Sequence, residues 1–218
     1  MTGAQPLLRA ADLQFGYNHE GSVIDGWSHS FERGESVALV GPSGRGKSTL
    51  LYLLSLMLTP SAGEVFLAEQ ATSKLRDRER ARLRAEHFGF VFQDAALDPT
   101  RTVLDNVLEP SLYRAPGPED LRRRAHDLLN RFGVLSRADH KPGQISGGQA
   151  QRIALCRALL TSPSVVFADE PTGNLDADSS ATVIDALNEH AVTESGAVVL
   201  IVTHDQRVAE RCGRVISL

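Results

Sequence analysis

Two cysteines, Cys156 and Cys212, are all the chain has. A disulfide framework is not expected, neither residue stands in a metal-type spacing, and a reducing setting fits. Long apolar runs are missing as well. The most extended, Leu50 to Leu58, is interrupted by Tyr52 and Ser55 and is far too short to cross a bilayer. The first ten residues, MTGAQPLLRA, carry no long apolar region, so no secretory signal is expected. Positive charge is not in excess: 23 Lys and Arg face 27 Asp and Glu, a formal net charge of -4. A basic coat for nucleic acid is therefore not expected. Local arginine runs, Arg76 to Arg84 and Arg122-Arg123-Arg124, read first as solvated helix faces. Internal repeats and low-complexity segments are absent. What is left is 218 residues, 42% hydrophobic and 23% charged, enough for one domain with a sizeable core.

Against that background one stretch stands out, SVALVGPSGRGKSTLLYLL from Ser36 to Leu54. Val37 to Val40 is short and apolar, as a buried strand is. Gly41-Pro42-Ser43-Gly44-Arg45-Gly46 is a glycine-punctuated loop, and Lys47-Ser48-Thr49 opens a leucine-rich helix. Strand, G-x-x-x-x-G-K-S and helix together make a phosphate-binding loop. Glycines let backbone N–H groups converge on one point, and the helix N-terminus adds partial positive charge there. Lys47 is expected to reach the β- and γ-phosphates and Ser48 to ligate Mg²⁺.

Around this stretch the chain reads as alternating strands and helices. Leu7 to Phe15 and Val23 to Phe31 read as two antiparallel strands joined by a turn holding Tyr17, which could stack on a nucleobase or cap the sheet edge. Glu64 to Ala68 reads as a short strand, and Ser73 to Ala85 as a charged helix. His87 to Gln93 reads as an aromatic strand that presents Gln93 at its C-terminal end, where open α/β sheets bind ligands. From Asp94 to Leu160 no strand is legible, and this part reads as an inserted helical lobe. Within it, helices are expected at Val103 to Leu112, from Pro118 to Arg131 and from Ala150 to Leu160. Ser146-Gly147-Gly148-Gln149 leads into the last of these, a second place where N–H groups converge.

Two more apolar strands end in chemistry. Ser164 to Ala168 runs into Asp169-Glu170. Downstream of a phosphate loop, Asp169 can hold the Mg²⁺ shell and Glu170 can polarise a water for attack on the γ-phosphorus. An amphipathic helix, Ala181 to Ala191, follows. Val198 to Val202 then runs into Thr203-His204-Asp205, which puts His204 at the same kind of edge. Val215 to Leu218 reads as a last short strand.

The order GPSGRGKST, FVFQ, ISGGQAQR, VVFADEPTGNLD and VTHD covers almost the whole chain. It resembles the nucleotide-binding subunits of ATP-binding cassette (ABC) transporters. That resemblance implies an α/β fold: a phosphate-loop NTPase core with a mixed sheet, N-terminal antiparallel strands and an inserted helical lobe. It implies one domain over residues 1–218, with the core at about 1–93 and 161–218 and the lobe at about 94–160. It implies ATP and Mg²⁺. Gly41, Pro42, Ser43, Gly44, Arg45, Gly46, Lys47, Ser48 and Thr49 would bind the triphosphate, and Tyr17 would stack on adenine. Gln93 would touch Mg²⁺ and the attacking water, with Ser48 and Asp169 as further metal ligands. Glu170 would be the general base and His204 the switch that contacts the γ-phosphate. Ser146, Gly147, Gly148 and Gln149, with the loop from Asn174 to Asp176, would meet the nucleotide of a second copy in a head-to-tail dimer.

The partners implied are that second copy and an integral membrane permease, with the chain peripheral on the cytoplasmic face and no nucleic acid bound. Ile145 stands where the family usually has leucine, a volume-conserving difference. The phrase from Asp169 to Asp176 is similar to the lipoprotein-releasing, macrolide-exporter and cell-division branch. A cell-division-type regulatory module and a soluble ABC ATPase acting on nucleic acid are the other readings this leaves. Asp94 to Thr102 departs from the family's usual pattern.

Overall fold

The computed structural model describes residues 5–17, 21–42, 44–114, 120–173, 175–193 and 196–218. Apolar runs long enough to be buried on both faces become a parallel sheet. Its strands are β3 (Ser36–Val40), β6 (Phe88–Val91), β7 (Val165–Asp169), β8 (Val198–Val202) and β9 (Arg214–Ser217). Their order is β6-β7-β8-β3-β9, every neighbour parallel. Alternating segments become an antiparallel sheet, β1 (Leu8–Phe15), β2 (Ile24–Phe31), β4 (Ala62–Leu67) and β5 (Gln70–Ala71), in the order β2-β1-β4-β5. The expected combination of antiparallel and parallel strands is present, divided into two sheets.

Period-two alternation sorts the parallel strands' side chains onto two cores. Val165, Phe167, Val198 and Leu200 join the antiparallel sheet and helix α1 (Lys47–Leu54) in one. Leu50, Leu51, Leu53 and Leu54 are all buried there, so α1 is apolar on most of its surface because it has sheet on both sides. Val166, Ala168, Val199 and Ile201 face the second core, which takes in α3 (Val103–Leu108), α4 (Leu121–Arg131), α5 (Gly147–Leu159) and α6 (Ala177–Val192). The remaining helices are α2 (Asp77–His87) and the short α7 (Gln206–Ala209).

Several boundaries differ from the sequence reading, each for a local reason. His87 ends α2, and the strand runs only from Phe88 to Val91, so Gln93 lies past its end and not at its last position. Val103 to Leu112 divides into α3 and a 3-10 turn, Glu109–Tyr113, at Pro110. Helix α4 starts at Leu121, capped by Asp120, whose carboxylate accepts from Arg123 N; Pro118 and Glu119 lie outside the described residues. Helix α5 starts at Gly147, three residues before the expected Ala150, because Ser146 and Gln149 form a capping box. At the surface of α2, its N-cap Arg76 pairs with Glu79 at 3.2 Å and Arg82 with Glu86 at 2.7 Å. The Asp94 to Thr102 stretch is organised by fully buried Asn106. Its side chain accepts from Asp98 N at 2.6 Å and donates to the carbonyls of Asp98 and Thr102. Among the described residues no helix is long and apolar enough to cross a membrane.

Candidate active site

Parallel register decides which residues meet. Leu39 pairs with Val202, and Val202 with Asp169, so strands β3, β7 and β8 end at one level. The loop after β3, the acidic pair after β7 and the Thr203-His204 step after β8 therefore open on the same sheet edge. Gly41 and Gly46 have φ of 154° and 83°, and Gly46 is the N-cap of α1. A β-carbon on Gly46 would come within 2.8 Å of Val23 Cγ1, and one on Gly41 within 2.8 Å of the Leu218 carbonyl oxygen. Both turns are thus closed to larger residues by conformation and by space. Lys47 is buried, and its Nζ donates to the carbonyls of Gly41 at 2.7 Å and Pro42 at 2.9 Å. The loop wraps its own ammonium. Ser43 lies outside the described residues.

Ser48, one residue into α1, hydrogen-bonds the carboxylate of Asp169, the last residue of β7. Burial pushes the Asp169 carboxyl above its ordinary value, with Glu170 adding to the rise while Ser48 and Lys47 oppose it. Glu170 has φ 45°, a left-handed conformation costing a side-chain-bearing residue about 1–2 kcal/mol. Its N–H bonds the Val202 carbonyl at 2.9 Å, and this reversal aims its carboxylate away from Asp169 toward the β8 end. There Glu170 Oε1 lies 2.6 Å from His204 Nδ1, and Oε2 accepts from the Thr203 hydroxyl at 3.3 Å. A carboxylate only accepts, so Nδ1 carries the proton in that contact. The His204 side chain is 73% exposed and that of Glu170 15%, so the imidazole stands in solvent while the carboxylate is held against the strand ends.

Tyr17 packs at the end of β1. Half exposed, it packs edge-on against Phe15 with ring centroids 4.9 Å apart, and its hydroxyl is 3.3 Å from Thr49 Oγ1. Its ring thus stands beside the first turn of α1. Gln93 is exposed just past β6. Ser146, Gly147, Gly148 and Gln149 are at the start of α5. Ser146 N donates to Gln149 Oε1 at 2.9 Å and Gln149 N donates to Ser146 Oγ at 3.3 Å, which leaves the N–H groups of Gly147 and Gly148 outside the capping box. Gly148 adjoins Leu175, since a β-carbon there would be 3.4 Å from Leu175 Cδ2. Asp176 caps α6, accepting from Ser179 N and its hydroxyl at 2.8 and 2.9 Å; Asn174 lies outside the described residues. Those hydrogen bonds hold the exposed Asp176 carboxyl below the usual range. The structure joins Lys47, Ser48, Asp169, Glu170 and His204 at one edge. Among the described residues no hydrogen bond links Ser146 to Gln149 with that edge.

Three residues at or behind the site were not legible as such in the sequence. Thr203 is fully buried under Glu170; its only sequence signal is a hydroxyl directly after an apolar strand. Gln151 and Arg157 of α5 bond to the carbonyls around Gln93, 59 to 62 residues away in the chain. No local pattern reports such partners.

Known proteins resemble this chain in sequence and in fold. The ABC transporter family profile matches residues 24–173. The chain is 45% identical over 196 residues to the lipoprotein-releasing system ATP-binding protein LolD of Paramagnetospirillum magneticum, covering 90% of this chain and 86% of that protein. It is also 45% identical over 203 residues to the uncharacterized ABC transporter ATP-binding protein YbbA of Escherichia coli, covering 92% and 87%. Its fold matches a dimeric post-hydrolysis state of the ATP-binding cassette MJ0796 bound to ADP and Pi, with a TM-score of 0.87 at 34% identity, over 97% of this chain and 94% of that one.

Proposed function

The chain belongs to the ABC transporter family as an ATP-binding subunit, and from that premise we propose that it hydrolyses ATP with Mg²⁺ to drive a separate membrane permease. The observation that carries this reading is the meeting of Lys47, the Ser48–Asp169 pair and the Glu170–His204 pair at one sheet edge.

The residues fit a metal that arrives with its nucleotide. Ser48 and Asp169 offer two hard oxygen ligands, Gln93 in the segment after β6 a third, and among the described residues no cluster of three or more His, Cys, Asp or Glu could hold a metal by itself. Mg²⁺ is commonly held by one or two carboxylates together with substrate phosphates. Held by these residues, it would supply positive charge that offsets the negative charge of the phosphates. The N–H groups of the loop from Gly41 to Thr49 cradle the phosphates, Lys47 exchanges its loop carbonyls for the β- and γ-phosphates, and Tyr17 stacks on adenine. Glu170 takes a proton from water as oxygen bonds to the γ-phosphorus and the bond to ADP breaks. His204, held by Glu170 through Nδ1, presents its other nitrogen to the γ-phosphate. Gln93 orients the attacking water.

A second copy completes each site. In a head-to-tail pair the Gly147 and Gly148 N–H groups of one copy meet the γ-phosphate bound by the other, and the loop at Asp176 crosses between them. The chain acts as one domain, a core with a helical lobe, held to the cytoplasmic face of a membrane by its permease. The 45% identity to a lipoprotein-releasing ATP-binding protein favours transport over a cell-division-type regulatory role.

Glu170→Gln tests the chemistry: hydrolysis falls about 10²–10⁴-fold while ATP binding persists. Near-normal phosphate release by that variant would remove Glu170 from the role of base. Purification of the chain from detergent-solubilised membranes tests the coupling. A copurifying permease supports it, and exclusively soluble partners would defeat it.

A further inference from the structure

Helix α5 does two things at once. Its N-terminus carries Ser146-Gly147-Gly148, and its buried flank grips the segment around Gln93. Gln151, 2% exposed, donates from Nε2 to the Phe92 carbonyl at 3.0 Å. Arg157 donates from Nη1 to the Ala96 carbonyl at 2.7 Å and from Nη2 to the Ala95 carbonyl at 2.8 Å. Its guanidinium also lies 3.7 Å from Glu109 Oε2. The three carbonyls bracket Gln93, one residue before it and two and three after.

The segment does not hold this shape by its own preference. Ala96 has φ 47°, a left-handed conformation that an alanine resists, and its carbonyl is one that Arg157 takes. Keeping a guanidinium largely buried is costly unless its donors are used, and a rigid fork satisfies two adjacent carbonyls where a single ammonium would not. A residue needed only for packing at that place would be better served by an aliphatic side chain.

We propose that Gln151 and Arg157 are positioning residues that lock Gln93 to α5, so that the anion-binding end of that helix and the water-orienting glutamine move as one body. The proposal rests on the hydrolase reading above and deepens it. When a second copy's nucleotide draws the α5 N-terminus inward, Gln93 of the same chain moves with it. One site then reports to the other through a helix and three hydrogen bonds.

The test is a double-mutant cycle on the purified full chain, following phosphate release against ATP concentration. Arg157→Gln is expected to lower kcat about 10-fold to 10²-fold, with KM for ATP within about twofold. Gln93→Ala lowers kcat by itself, and adding Arg157→Gln to it is expected to cause no further loss, because the arginine acts through Gln93. Losses that multiply, or an Arg157→Gln enzyme with unchanged kcat, would overturn the proposal. Should Arg157→Gln not fold by circular dichroism and gel filtration, Gln151→Leu takes its place in the same cycle with the same two outcomes. A wild-type chain that hydrolyses no ATP, while binding it, overturns the hydrolase reading and this inference with it; wild-type turnover with multiplicative losses overturns this inference alone.

Discussion

Glu64 illustrates how one carboxylate can organise a connection that no motif announces. Its Oε1 accepts from Ser73 N at 2.7 Å, Thr72 N at 2.9 Å and Val65 N at 3.1 Å, which pins the β4–β5 turn and the approach to α2. Burial pushes this carboxyl up, but the bonds from Ser73, Thr72 and Val65 outweigh it and the net shift is downward from 4.5. The unfolded chain thus binds this proton at a higher pH than the folded one. The stabilisation is complete above the ordinary glutamate value and is lost as pH falls through the lowered folded value. Glu64→Gln is expected to cost about 1 kcal/mol near neutral pH, after discounting for partial solvent access. In urea unfolding, that cost should shrink at acid pH; an equal cost at both would show that the charge is not what matters. Site residues such as Asp169, Glu170 and His204 are readable because each is a titratable side chain within two residues of the end of an apolar run. Glu64, Asn106 and Thr203 were not, because their value depends on carbonyls and N–H groups that folding delivers.

At the scale of elements, caps explain most of the boundary differences. Ser146 and Gln149 start α5 three residues before Ala150, and Asp120 sets the start of α4. Propensity favours neither glycine of Ser146-Gly147-Gly148 inside a helix, so the sequence reading placed the helix after them. Capping and the packing of Ile153, Leu155 and Cys156 in the core override that preference. Ser146→Ala removes the acceptor for Gln149 N and is expected to cost about 1 kcal/mol of stability. Thr102→Ala, which removes the corresponding acceptor for Asp105 N on α3, should cost a similar amount. Ser146→Ala alone should also depress ATP turnover, since in the proposed dimer its helix end faces a γ-phosphate. If both variants lose activity equally, Ser146 is a cap and nothing more.

On the whole-molecule scale, no hydrogen bond among the described residues links the start of α5 with the site edge, and in the proposed dimer a second chain brings the two together. Glu170→Gln, able to bind but not to hydrolyse, is expected to sediment as a dimer with ATP and as a monomer without it or with ADP. Raising salt should weaken that dimer, because charged phosphate is its bridge. A dimer of equal strength without nucleotide would mean that apolar surface, and not phosphate, joins the copies.

The linear order of residues determined a good deal: a glycine-punctuated turn between strand and helix, apolar strands leading into Asp169-Glu170 and His204, and an α/β class, all carried by short-range patterns. Tertiary structure alone decided the rest. Register brought β3, β7 and β8 to a common edge, so that Ser48 meets Asp169 and Glu170 meets His204. Packing divided the strands into two sheets with α1 between them, and long-range hydrogen bonds tied α5 to the segment around Gln93. Periodicity and motif spacing report neighbours within a few residues. Contacts between residues dozens of positions apart exist only once the backbone's own pairing has brought them together.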